Sequence, residues 1–146
     1  MLFRSGWVKR QKEVKDLTTT RLREGDSVLA ALPGSTRASV VFFTNLGAAY
    51  TSRIIDVPAS TGYGEPIQKL FKLRDGERVI AAFSLDPRVA GAIAAAKEGA
   101  EPKVQAVAVT SDGYAFRFSL EGFVEPSTRA GRRYARPADE IGRAHV

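Results

Sequence analysis

The fold is decided by residues 41–50, Val-Phe-Phe-Thr-Asn-Leu-Gly-Ala-Ala-Tyr. Two apolar runs flank Asn45-Leu46-Gly47, and a glycine in such a turn accepts the positive φ that tight hairpins require. The stretch therefore predicts two antiparallel strands joined by a short turn.

The same hairpin pattern occurs three times along the chain. It returns at Met1–Arg10 and at Val107–Arg117, and each copy then passes through a polar segment to a second turn and a further strand. These second turns lie in Arg23–Leu29, Arg74–Ile80 and, with weaker agreement, Ala138–Gly142. A small sheet cannot bury its apolar face alone, so repeated strand units stack as blades. We predict one all-β domain over residues 1–146, with propeller-like repeats at about 1–37, 38–86 and 104–146.

An insertion at residues 87–103 separates the second repeat from the third. Asp86 is suited to cap a helix, Pro87 to its first position and Gly99 to its end, and the residues between are rich in alanine. A short helix and an Ala/Gly linker are both compatible with this composition.

Composition excludes several classes of function. The chain has no cysteine and a single histidine, His145, so it predicts no disulfide, no thiol chemistry and no metal site. No apolar run reaches the roughly 18 residues of a membrane span, and the N-terminal residues lack the order of a signal peptide. We therefore expect a cytosolic protein with no membrane partner.

The basic residues are concentrated in two segments. Met1–Arg23 contains seven Lys or Arg against two acids, and Pro126–Arg136 contains four Arg and no acid, whereas Glu24–Thr110 has nine of each sign. A formal net charge of +6 with this distribution indicates a polyanionic partner.

Four motifs follow one another in the second repeat, at Val41–Tyr50, Ile55–Pro58, Gly64–Leu70 and Asp75–Ile80. Ser5–Arg10 and Thr110–Tyr114 match the openings of two further blades. In this order the motifs resemble the C-terminal β-pinwheel of the A subunits of bacterial type IIA DNA topoisomerases, DNA gyrase and topoisomerase IV. The resemblance covers nearly the whole chain.

The resemblance implies a function without catalysis on this domain. It implies binding of double-stranded DNA with little sequence preference, within an ATP-dependent topoisomerase whose ATP and magnesium are held by other domains. The expected partners are the remainder of the A subunit, together with the ATPase subunit, in the cytoplasm with the bacterial nucleoid. Wheels of this family commonly have five or six blades, so three repeats indicate an incomplete wheel.

We predict DNA contacts from basic residues that pair with phosphates. The candidates are Lys9, Arg10, Lys12, Arg21, Arg23, Arg117, Arg129, Arg132, Arg133 and Arg136. The glutamine-led cluster of arginine, glycine and lysine that supports wrapping in gyrase has no recognisable counterpart. Its nearest composition, Arg129–Arg133, aligns instead with the ordinary blade position Gly62–Pro66, so wrapping and simple binding both stay open.

Two other interpretations of the sequence are weighed against DNA binding. Tyr134 follows an arginine, as the DNA-cleaving tyrosine of the family does, but that tyrosine belongs to a different, helical domain and no acidic cluster accompanies Tyr134. We predict a packing or DNA-contacting role for it and no catalytic residue on this chain. The rival function is a propeller-like protein-interaction module, which an exposed aromatic patch with scattered arginines would indicate.

Overall fold

The computed structural model describes residues 1–90, 99 and 104–145. It confirms the all-β prediction: every strand pairing within the sheets is antiparallel, and α1 (Pro87–Ala90) is a single turn of helix. The strands in chain order are β1 (Leu2–Phe3), β2 (Trp7–Val8), β3 (Val28–Ala30), β4 (Ser39–Thr44), β5 (Ala48–Arg53), β6 (Glu65–Pro66), β7 (Val79–Ser84), β8 (Gln105–Thr110), β9 (Ala115–Ser119), β10 (Arg132–Arg133) and β11 (Ile141–His145). Within the described part of the chain, no helix is long and apolar enough to cross a membrane.

The strands form three sheets, which we call the first, second and third blade. Their strand orders are β3-β1-β2-β6, β10-β5-β4-β7 and β11-β8-β9. Each blade has the predicted hairpin at its centre and, beside it, a strand from later in the same repeat. In the first and second blades the remaining edge strand, β6 or β10, comes from the repeat that follows in the chain. This exchange joins consecutive repeats through backbone pairing.

Two glycines let the exchanged strands approach their neighbours. Gly64 and Gly131 have φ of +87° and +72°, which other residues rarely adopt. A Cβ on Gly64 would overlap the carbonyl oxygen of Val8, and one on Gly131 would lie 2.7 Å from Cε1 of Tyr50. The two strands can therefore enter their sheets only with glycine at these positions.

The apolar core lies between adjacent blades. One cluster, including Leu2 and Phe42, fills the space between the first and second blades. A second cluster joins the second and third blades around Phe43, which is fully buried. Its ring packs against Phe118 at 5.5 Å and Tyr134 at 4.8 Å between centroids. Burying one such side chain contributes roughly 1.5–3 kcal/mol, so these contacts hold the blades together.

The insertion begins as its sequence predicts. The Asp86 carboxylate accepts hydrogen bonds from the backbone N–H of Arg88 at 3.0 Å and of Ser35 at 2.9 Å, which caps α1 and ties it to the preceding loop. A side-chain bond from Arg88, together with these backbone bonds, holds the pKa of Asp86 well below its usual range. The rest of the predicted insertion, residues 91–98 and 100–103, lies outside the described residues.

Candidate nucleic-acid interface

The predicted segment Arg129–Arg136 runs along the outer edge of the second blade. Its centre is β10, in which Arg132 pairs with Ala49 and Arg133 with Ala48 of β5. The guanidinium of Arg132 donates to the carbonyls of Glu125 and Pro126. Among the described residues, no carboxylate lies within ion-pair distance of the four arginines of this segment. Their positive charges are thus held in place and not neutralised by acids.

Three arginines meet at a shallow hollow of about 410 Å³. Arg133 and Arg136 come from the third repeat, and Arg74 comes from the second turn of the second repeat. Asp139 is the one acidic residue of the lining, and its carboxylate also accepts a hydrogen bond from Ser111. Three guanidiniums against one carboxylate give the hollow a positive charge. Such an arrangement suits a phosphate group, which guanidinium binds in a bidentate manner.

Arg129 extends this surface toward the second repeat. Its guanidinium donates to the carbonyl of Lys69 at 3.0 Å, and its own carbonyl accepts from the backbone N–H of Lys72 at 2.8 Å. Lys69 and Lys72 are exposed, and Lys69 also forms an ion pair with Glu65 at 2.7 Å between exposed side chains. Exposed pairs of this kind are worth little. Both lysines therefore add to the charge beside Arg129.

The N-terminal candidates do not all lie at the surface. Lys9 is 0% exposed, and its ammonium donates to the carbonyls of Gly62 at 2.9 Å and Arg21 at 3.2 Å, beneath the ring of Phe3. Burial, followed by the nearby charge of Arg21, lowers the pKa of Lys9. Lys9 is therefore a structural residue that joins the exchanged segment to the first blade, and we withdraw it from the candidate contacts.

The remaining N-terminal candidates have accessible charge. Lys12, Arg21 and Arg23 are exposed, and the Arg23 guanidinium stacks 4.1 Å from the centre of the Trp7 ring. Arg10 is half-buried and donates from Nε to the carbonyl of Val57. Arg117, the candidate in β9, is exposed on the third blade. Within the described residues, no hydrogen bond or ion pair links the N-terminal group to Arg129–Arg136.

The two groups are nevertheless equivalent in the repeat. Arg23 and Arg74 each accept, through the carbonyl, a hydrogen bond of 3.0 Å from the residue three positions later. Each turn then has a glycine of positive φ, Gly25 or Gly76. The same turn thus presents an arginine in consecutive repeats. Alignment of the two turns is the signal by which Arg74, missing from the sequence-based candidates, can be found.

We call the basic residues around these two turns and around β10 the basic edge. It consists of Arg21, Arg23, Lys69, Lys72, Arg74, Arg129, Arg132, Arg133 and Arg136, all of them exposed or half-buried.

Tyr134 has a packing role. Its hydroxyl donates to the carbonyl of Thr44 at 2.7 Å, and its ring meets Phe43 and Phe118. Burial raises the pKa of Tyr134. Because the ring closes the space between the second and third blades, the hydroxyl faces the protein interior.

Comparison with known proteins agrees with this architecture. The topoisomerase 4 A-type subunit of Caulobacter vibrioides is 28% identical over 84 residues, which are 57% of this chain and 11% of that protein. The chain therefore spans a small part of that relative. The C-terminal domain of E. coli ParC matches with a TM-score of 0.75 and 22% identity, over 98% of this chain and 53% of that one. The C-terminal domain of DNA topoisomerase IV matches with a TM-score of 0.71 and 19% identity, over 99% and 43%.

A family profile gives the assignment. The profile described as DNA gyrase C-terminal domain, beta-propeller, matches residues 38–86 and 106–134, which are more than half of the chain. The match includes the second blade's own strands and continues through the hairpin of the third blade to Tyr134. These residues confirm the resemblance inferred from the sequence motifs, and the chain belongs to the DNA gyrase C-terminal domain, beta-propeller family.

Proposed function

We propose that this chain binds double-stranded DNA along the basic edge, without reading base sequence, as a domain of a topoisomerase A subunit. The observation that carries the proposal is the hollow formed by Arg74, Arg133 and Arg136. Repeats two and three both contribute to it, so folding concentrates charge that is dispersed in the sequence.

The proposed mechanism is electrostatic. Each phosphate that pairs with a guanidinium or ammonium group releases condensed counterions, and this contribution does not depend on the bases. Bending a duplex along such an edge costs on the order of 1 to 6 kcal/mol, which several phosphate contacts offset. The proposal therefore includes binding with modest curvature and does not require wrapping.

The wider assembly is also part of the proposal. The domain would present DNA to the ATPase subunit, as well as to the other domains of its own polypeptide, in the bacterial cytoplasm with the nucleoid. ATP and magnesium would act on those other domains and not on this one. We include no catalytic residue here, and the inward-facing hydroxyl of Tyr134 supports that omission.

The rival function, a protein-interaction module, has weaker support. Its expected sign was an exposed aromatic patch with scattered arginines, whereas three arginines line one hollow. The two most exposed large aromatic residues, Tyr114 and Tyr63, belong to different repeats.

Fluorescence anisotropy with two unrelated duplexes of equal length, across a salt series, tests the proposal. We expect similar affinities for both duplexes and a steep loss of affinity with salt. No binding at low salt, or a strong preference for one duplex, would contradict it.

A further inference from the structure

The third blade differs from the other two at one edge. The first and second blades have four strands each, whereas the described part of the third blade has three, ending at β9. In the first two blades the strand at this edge is supplied by the following repeat. An edge strand presents N–H and C=O groups that can pair with another chain segment.

The hairpin turn of the third blade has the geometry that receives such a strand. Gly6, Gly47 and Gly113 have nearly equal φ of +87°, +88° and +92°. The carbonyl of Gly6 accepts from the N–H of Ile67 at 2.9 Å, and that of Gly47 accepts from Tyr134 at 2.8 Å. Ile67 and Tyr134 are the residues that directly follow β6 and β10. Among the described residues, none donates to the carbonyl of Gly113.

The register of the hairpin directs polar backbone groups toward this edge. The N–H of Thr110 donates to the carbonyl of Tyr114 at 2.8 Å, so these two residues form a hydrogen-bonded pair across the turn. In an antiparallel hairpin the next pair, Val109 and Ala115, is not hydrogen-bonded, and the N–H of Ala115 points away from β8. Ala49 holds the same register in the second blade, where it pairs with Arg132.

The outward face of the third blade is apolar and exposed. By register, Val107 and Val109 correspond to Val41 and Phe43 of the second blade. Val41 and Phe43 are fully buried because the third blade packs against them. Val107, in contrast, is 39% exposed. The face that receives the next blade is thus present, with its apolar residues, on the third blade as well.

The exchanged strands define what can occupy this site. Both contain glycine three residues before a large apolar residue, at Gly64 with Ile67 and at Gly131 with Tyr134. The first repeat has no glycine between Gly6 and Gly25, so a second copy of the chain has no such strand to offer from that repeat. The strands with Gly64 and Gly131 are already paired within the chain.

We propose that the third blade binds a further blade repeat, which inserts an extended glycine-x-x-large apolar segment along β9 and covers Val107. The extent of the solved domains agrees with this, since the chain matches only 53% of one and 43% of the other. The inserted glycine would lie against Phe116, which corresponds to Tyr50 beside Gly131 in the second blade. This interaction is independent of DNA binding.

A peptide of residues 60–70 provides the probe, because it contains the strand with Gly64 and Ile67 and has no net charge. We expect it to shift the backbone amide resonances between Tyr114 and Phe118 in NMR spectra of the full chain, in a saturable manner. A peptide with Gly64→Val should bind at least tenfold more weakly, since a Cβ at this position overlaps the receiving strand. No saturable shift, shifts confined to other strands, or equal binding by the valine peptide would overturn the proposal.

Two variants of the full chain test the receiving surface separately. Val107→Glu charges the outward face, and Ala115→Pro removes the N–H that points from β9. Each should weaken the peptide at least tenfold. Val14→Glu is the matched control, because Val14 is also 39% exposed but lies in the first repeat, and it should leave binding unchanged. Light scattering should give the 15.8 kDa of one chain, and a doubled mass that Val107→Glu abolishes would assign the site to a second copy and overturn the proposal.

Discussion

Replacing Arg133 and Arg136 together by glutamine should weaken duplex binding and make it less sensitive to salt. Both side chains are exposed, line the hollow and pair with no described carboxylate. If each contacts one phosphate, the slope of log K against log salt becomes shallower by about 0.9 per contact, or about 1.8 in total. Between about 50 and about 200 mM salt, the wild type then loses about tenfold more affinity than the variant. Anisotropy titrations across this range measure both slopes.

The stability of this variant should not change. Exposed substitutions away from caps and core shift the free energy of unfolding by no more than about 0.5 kcal/mol, and the backbone pairing of β10 does not depend on these side chains. Arg74 is left intact because its Nε lies 3.6 Å from the buried carboxylate of Glu77, so its replacement would disturb the fold as well as the hollow.

The matched control is Arg37→Gln with Arg53→Gln. Both arginines are exposed and lie outside the basic edge, and either pair of changes lowers the formal net charge by two, from +6 to +4. The control should retain the wild-type slope, and lysine at 133 and 136 should restore most of it because the charge returns. An unchanged slope in the folded glutamine variant would refute the assignment of the hollow. Equal effects in the control would refute a localised contact.

Three further predictions concern the fold that supports the edge. Tyr134→Phe should lower the free energy of unfolding by about 1–2 kcal/mol, because the carbonyl of Thr44 loses its donor, and should leave the salt slope of DNA binding unchanged; denaturant titration and anisotropy check this. Gly131→Ala should cost about 2–4 kcal/mol in the same titration, from positive φ and from overlap with Tyr50, whereas Gly25→Ala, with similar φ and open space, should cost about 1–2 kcal/mol. The pKa of Asp86 is lowered by folding, so its stabilising contribution is complete above the unfolded pKa of about 3.9 and is lost as the pH falls below it. The stability difference between the wild type and Asp86→Asn should accordingly be constant near neutral pH and shrink below about pH 4.

The hairpins could be predicted from sequence because their determinants are local. Asn45-Leu46-Gly47 sets a turn between two apolar runs, and Gly47 has the expected positive φ of +88°. The exchange of strands between repeats could not be predicted in this way. Strands β6 and β10 are two residues long and have no alternating pattern, and their partners lie in the preceding repeat. Gly64 and Gly131 were the available signal, but the need for glycine appears only when the receiving strand is in place.

The candidate contacts were predictable in part for the same reason. Arg133 and Arg136 stand out as an arginine cluster without acids, and folding leaves them exposed. Lys9 belongs to an equally basic segment, yet its ammonium is bonded by carbonyls 12 and 53 residues away, which sequence spacing does not reveal. Arg74 lies in a charge-neutral stretch and joins the hollow only through the packing of the third repeat against the second.

The exchanged strand connects stability and DNA binding in one element. β10 carries two arginines of the basic edge, and Gly131 and Tyr134 on either side of it fix its position against the second blade. Phosphate-binding groups on a strand whose backbone is held at both ends need little reordering when DNA binds, which favours affinity. A change at Gly131 should therefore reduce both stability and binding, whereas a change at Arg133 reduces binding alone. Separation of these two effects by the variants would identify the blade junction as the support on which the proposed DNA-binding surface is built.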